Sequence, residues 1–160
     1  MRIYFLLNGD SVELDVNPDD LLVDLLRLRL GLRGARPGCL QGQCGSCTVL
    51  FNGLLAASCL IPAFRVQGAE VMTIEGLMET TEYEDIERGF ERAGVSPCRF
   101  CAAGKFLSVH ALLSETTNPT DEKIRDTLTG VWCRCTTYDR MVAGIRHAAE
   151  IRRRRERRAI

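Results

Sequence analysis

The chain has 160 residues, with 21 Lys and Arg balancing 21 Asp and Glu, and 46% of it is hydrophobic. Zero formal net charge offers no global field for nucleic acid or an anionic membrane, and no apolar run approaches the roughly 20 residues that cross a bilayer. The length accommodates two domains of about 80 residues, a size at which the core is modest and a metal often staples the fold.

Arg2 to Leu7 reads as a strand, and Asn8-Gly9 is a hairpin signal. Met1 to Leu7 is too short an apolar run for a leader, so a cytoplasmic location is expected. Ser11 to Val16 alternates polar and apolar as a half-buried strand does. Pro18 ends it, and Asp19 or Asp20 is placed to cap a helix from Leu21 to Leu30, with Leu22, Leu25, Leu26 and Leu30 inward and Gly31 as its stop. Thr48 to Phe51, Asn52-Gly53 and Leu54 to Cys59 form a second hairpin, and Val71 to Ile74 a last short strand. Glu79 to Glu84 is polar and reads as a connector. Beyond it only helical patterns remain: Asp85 to Ala93, Arg99 to Ser114, Asp121 to Leu128 after the Thr120 cap, and a last helix starting at Thr137 or Asp139. The pattern is α+β, with units at residues 1–78 and 85–160.

Between the hairpins lie three cysteines in nine residues, Cys39, Cys44 and Cys47, spaced C-x4-C-x2-C, and Cys59 follows after eleven intervening residues. This is the plant-type ferredoxin spacing for four thiolates around one 2Fe–2S cluster. Gly42 and Gly45 suit a loop whose amides converge on sulfur. A second set answers the first: Cys98-x2-Cys101, then, after 31 intervening residues, Cys133-x-Cys135. All eight cysteines of the chain are thereby placed. Four disulfides would suit a secreted scaffold, but cysteine density is too low for one. Two zinc sites are a stronger alternative, although the C-x4-C-x2-C loop and the C-x-C pair fit zinc-ribbon spacing poorly. The second-half pairs fall near expected helix N-termini, where the macrodipole favours thiolate.

No glycine loop for a dinucleotide or flavin is present, and no Ser/His/Asp or Cys/His arrangement leaves a cysteine to spare. His110 and His147 read as structural or surface residues. The run Arg152 to Arg158 reads as a solvated tail or a dock for an acidic partner surface, in preference to a nucleic-acid patch.

In these motifs, and in Ser58-Cys59-Leu60, Thr73-Ile74-Glu75-Gly76-Leu77 and Cys133-Arg134-Cys135-Thr136, the chain resembles the small iron–sulfur subunit of molybdenum hydroxylases, the family of xanthine, aldehyde, nicotinate and carbon monoxide dehydrogenases. The likeness runs from about Ile3 to Ile151. It implies an N-terminal β-grasp ferredoxin domain followed by an all-α four-helix domain. It implies one 2Fe–2S cluster on Cys39, Cys44, Cys47 and Cys59 and another on Cys98, Cys101, Cys133 and Cys135. The partners implied are a molybdopterin-binding large subunit, which oxidises the substrate, and an FAD-binding medium subunit. Electrons would pass from molybdopterin through the helical-domain cluster, then the ferredoxin-domain cluster, to FAD, with Cys135 touching the pterin. A free-standing two-cluster ferredoxin and a zinc-stapled interaction module remain as alternatives; none of the three places a substrate site on this chain.

The chain departs from the family's usual motifs at several positions, among them Ala102-Ala103 for Thr-Pro and Val131 for Asn, and three bear on the pterin contact and the cluster. Pro97 stands where the family has a pterin-binding glutamine, Arg99 where it has glycine, and Thr137 where it has glycine in the Cys-Arg-Cys-Thr-Gly-Tyr run. Arg99 would place a cation beside the second cluster and raise its potential.

Overall fold

The computed structural model describes residues 1–159. Its first half is a five-stranded mixed sheet in the order β2-β1-β5-β3-β4. Strands β1 (Arg2–Leu7) and β2 (Asp10–Asp15) pair antiparallel, with Ile3 opposite Leu14 and Phe5 opposite Val12. β5 (Glu70–Met72) lies parallel to β1, and β3 (Thr48–Phe51) runs antiparallel to both β5 and β4 (Leu54–Ala57). Both hairpins turn where Asn-Gly pairs stand. Asn8 and Gly9 have φ of 53° and 92°, and Asn52 and Gly53 have 51° and 79°, the positive values that a tight two-residue turn needs. Alternation puts Ile3, Phe5 and Leu7 inside, where they meet Leu22, Leu26, Val49 and Val71.

The helix expected over Leu21 to Leu30 is present but wider. A short turn, α1 (Leu22–Asp24), continues as a π-helical turn over Leu25–Arg29. Neither aspartate caps it, because Asp20 instead accepts from the Asn17 amide at 2.9 Å. The Leu22 amide goes to the Ile61 carbonyl at 2.8 Å, tying this helix to the chain after Cys59. The return strand ends at Ala57, since Ser58 Oγ donates to the Cys47 carbonyl at 2.7 Å and starts a 3-10 turn over Ser58–Leu60. Ile74 belongs not to the last strand but to a single helical turn, α2 (Ile74–Leu77).

The expected connector is a helix. Thr80 Oγ1 accepts from the Tyr83 amide at 3.3 Å and caps α3, which spans Thr81–Arg92. Glu82 and Glu84 in its first turn complement the positive end of the macrodipole, so polarity that reads as linker is helix-start chemistry. α4 (Ala102–Glu115), α5 (Asp121–Thr129) and α6 (Tyr138–Arg158) complete the helical half. α4 is its axis: Leu107, Val109, Leu112 and Leu113 are buried, packed with Ile86, Phe90, Ile124 and Ile145 from the other helices and with Leu50 and Ile74 from the sheet side. The two halves therefore share one boundary core.

The arginine run is not a solvated tail. It is the last part of α6, and Arg152 is only 2% exposed. Its Nε lies 3.4 Å from Asp85 Oδ2, and Arg155 reaches the same oxygen at 2.8 Å and Glu82 at 3.2 Å. Arg153 donates to the Thr117 carbonyl at 2.5 Å. α3 and α6 cross so closely that a Cβ on Gly89 would run into the Ala148 backbone. The run thus clamps the helical half, and among the described residues no helix is long and apolar enough to cross a membrane.

Candidate metal centres: two cysteine tetrads

The first tetrad hangs on the loop between α1 and β3 and on the turn after β4. Cys39 Sγ accepts from the amides of Gln41, Gln43 and Cys44 at 3.4, 3.3 and 3.4 Å. Bonds of that kind favour the charged form, and those from Gln41, Cys44 and Gln43 bring the Cys39 thiol down to about 6. The loop achieves this with Gly42 and Gly45 at φ of 73° and 71°, and with Leu40 at 56°, a cost for a residue bearing a Cβ. Cys47 and Cys59 are buried at the inner side, fixed by β3 and the 3-10 turn. Burial, then the Cys47 thiol, pushes Cys59 up to about 11. Ser46 Oγ bonds Cys44 Sγ at 3.0 Å and donates to the Arg36 carbonyl at 2.9 Å, holding the outer wall.

The second tetrad joins two segments distant in sequence. Cys98 and Cys101 precede α4, and Cys133 and Cys135 lie between α5 and α6. Ligand atoms of Cys98, Cys101 and Cys135 all fall within 4.8 Å of one another. Cys133 closes the group at 3.4 Å from Cys101 Sγ and 3.2 Å from Cys135 Sγ. The amides of Cys101 and Phe100 and the Cys135 thiol lower Cys98 to about 7. Burial raises Cys101 strongly. For Cys135 a bond from the Cys98 amide pulls downward, but burial and the adjoining thiols prevail and raise it. At Cys133 burial pulls upward, yet bonds from Thr136 and Lys105 prevail and bring it to about 5.

Each set thus offers ionised thiols near neutral pH beside buried ones that release a proton on ligation, as thiolate metal sites do. A Cβ on Gly38 would press on Cys44 Sγ, at 2.8 Å, and on Ser46 Oγ, at 2.7 Å. The loop backbone therefore lies directly against the Cys44 sulfur and leaves no room for a side chain at 38. The second set brings its sulfurs together and the first aims three amides at Cys39; thiolate donors with amide bonds to sulfur fit an iron–sulfur cluster.

The two loops touch. The Trp132 amide donates to the Cys44 carbonyl at 3.0 Å. A Cβ on Gly45 would strike the Gly130 carbonyl, and one on Gly104 would strike the Gly45 carbonyl. In the sequence Gly45 belongs to the first loop alone. The contact also explains why a glycine stands at 104, in the first turn of α4.

Comparison with known proteins decides the family. The family described as "2Fe-2S iron-sulfur cluster binding domain" matches residues 5–63, and "[2Fe-2S] binding domain" matches 73–146. The chain is similar to the nicotinate dehydrogenase small FeS subunit of Eubacterium barkeri, at 37% identity over 90% of this chain and 92% of the relative. It is similar, also at 37%, to isoquinoline 1-oxidoreductase subunit alpha of Brevundimonas diminuta, over 92% of this chain and 97% of the relative. Among solved structures it superimposes on a chain of quinoline 2-oxidoreductase from Pseudomonas putida 86, with a TM-score of 0.87, 36% identity and 96% of each chain covered. The chain belongs to the iron–sulfur subunits of the molybdenum hydroxylases. With that membership come two 2Fe–2S-binding domains, an α+β ferredoxin fold followed by a helical fold, and a role in electron transfer within a multi-subunit oxidoreductase.

Within this iron–sulfur subunit the three departures sit differently from one another. Pro97 is half-buried just before Cys98, Thr137 precedes α6 without a side-chain cap bond, and Arg99 is exposed. The cation expected beside the second cluster is therefore solvated. A different one is buried there, Lys105, to which the sequence pattern gives no role. Its Nζ donates to Thr136 Oγ1, and that hydroxyl lies 3.3 Å from Cys133 Sγ. Its only sequence signal is a lysine on the inward face of an otherwise apolar helix. Of the two histidines, His110 is half-buried on α4, where burial lowers its pKa, and neither adjoins a tetrad in sequence.

Proposed function

We propose that Cys39, Cys44, Cys47 and Cys59 hold one 2Fe–2S cluster and that Cys98, Cys101, Cys133 and Cys135 hold the second. The chain would carry single electrons from a molybdopterin-binding large subunit to an FAD-binding medium subunit, in the cytoplasm, and take no substrate itself. The supporting observation is the bond from the Trp132 amide to the Cys44 carbonyl. It joins the residue before one ligand to the backbone of another, so the two loops meet through a direct hydrogen bond. The clusters supply the one-electron chemistry; the chain supplies thiolates, amides aimed at sulfur, and a rigid contact between the two sites.

The surface agrees with a buried relay. Phe100, Trp132 and Tyr138 flank the second tetrad in sequence and are 52%, 67% and 46% exposed, aromatic surface that a partner would cover. The unit boundary in this reading falls between Met78 and Thr81, so that the helical unit starts with α3, ahead of residue 85. Purification of the native complex tests the reading. Molybdenum and flavin should accompany this chain in fixed ratio. A lone chain from cell extract, with four iron and no molybdenum in its fractions, would favour a free-standing two-cluster ferredoxin.

A further inference from the structure

The helical half contains one buried cation that its ion pairs do not use. Lys105 is 4% exposed, in the first turn of α4. None of the ion pairs among the described residues includes it. The other deeply buried cation, Arg152, has the Asp85 carboxylate. Lys105 has the Thr136 hydroxyl and, beyond it, the Cys133 sulfur. It borders a cavity of about 160 Å³ that Leu128, Val131, Cys133 and Met141 also line. A buried charge without a counterion is costly. Four thiolates around two irons and two sulfides make an anion, and reduction by one electron makes it more negative. Held by the second tetrad, that anion would supply the partner Lys105 lacks.

We propose that Lys105 is a charge-compensating residue that raises the reduction potential of the helical-domain cluster. This rests on the assignment of the second tetrad given above. A fixed positive charge in a medium of low dielectric stabilises the reduced cluster more than the oxidised one. Arg99 does not share the effect, because solvent and salt screen an exposed charge. Thr136 acts as the tether, its hydroxyl set between the ammonium and Cys133. The electron enters a site whose added charge is already opposed, so the helical-domain cluster is the readier acceptor for electrons from the substrate side.

The test is a redox titration of the full chain carrying its clusters, following each cluster's paramagnetic signal, for the wild type, Lys105→Met and Lys105→Arg. Lys105→Met should lower the midpoint of the helical-domain signal by about 59 mV or more, a tenfold change in the ratio of reduced to oxidised cluster at fixed ambient potential. Lys105→Arg should stay within about threefold of wild type in that ratio. The other signal should not move in either variant. Loss of iron from Lys105→Met alone, with Lys105→Arg intact, would also support charge compensation. An unmoved midpoint in Lys105→Met, or equal shifts or equal iron loss in both variants, overturns it. Absence of the second signal in the wild type overturns the tetrad assignment and the Lys105 role together.

Discussion

The two tetrads solve one problem by different means. The first takes three of its four cysteines from one loop and neutralises thiolate with backbone: three amides converge on Cys39. The second assembles from two helix-flanking segments and adds side chains to its amides, with Thr136 and Lys105 at Cys133. Backbone amides come with the loop and are lost only by substitution to proline. Side-chain donors can vary singly, so the helical-domain site is the tunable one of the pair. The difference also predicts where the fold depends on metal. The sheet has a continuous hydrogen-bonded ladder and its own core, whereas the helical segments around Cys98 and Cys133 are joined by no strand.

Removing iron should give the largest effect. Small units built around a metal lose much of their folding free energy without it. Hydrogen exchange should show greater loss of protection in α4, α5 and the start of α6 than in β1 to β5. Equal protection with and without iron would mean that the helices need no staple. Next comes the clamp far from either tetrad. Asp85→Ala leaves Arg152 buried without a counterion, and such a loss costs about 3–5 kcal/mol; denaturant melting should show it, with the sheet half persisting longer. Gly45→Val follows, with strain of about 1–3 kcal/mol from its positive φ and its Cβ pressed on the backbone of the second loop. It is nonetheless the substitution expected to disturb both sites, since its Cβ meets the Gly130 carbonyl of the second loop. Iron content per chain, resolved by signal, would report both. The smallest effect belongs to Arg99→Gly. An exposed arginine is screened, so the midpoint of the helical-domain signal should stay in place under titration; a clear fall would put Arg99 against the cluster.

Much of this was legible in the residues. The Asn-Gly turns, the alternation in β1 and the C-x4-C-x2-C loop are local, and each implies its own geometry. The second tetrad was legible as a set because no cysteine was left over. What escaped was tertiary. Glu79 to Glu84 is polar both in linkers and in helix starts, and only the Thr80 cap distinguishes them. An arginine run reads as solvent-facing until Asp85, from another helix, is seen to face it. Lys105 and Arg99 are both single cations near cysteines in sequence, and which one is buried depends on the pitch of α4, which starts at Ala102 and not at Arg99. The contact of Gly45 with Gly130 and Gly104 spans the two halves and has no local signature.

The central claim is that the chain holds two separate clusters on two separate tetrads. Electron paramagnetic resonance of the reduced protein tests it most directly, with Cys44→Ser and Cys133→Ser beside the wild type. The wild type should show two distinct signals, Cys44→Ser should lose or distort only the ferredoxin-domain signal, and Cys133→Ser only the helical-domain one. A single substitution that erased both signals in a chain still folded, or a wild type with zinc in place of iron and no signal, would contradict it.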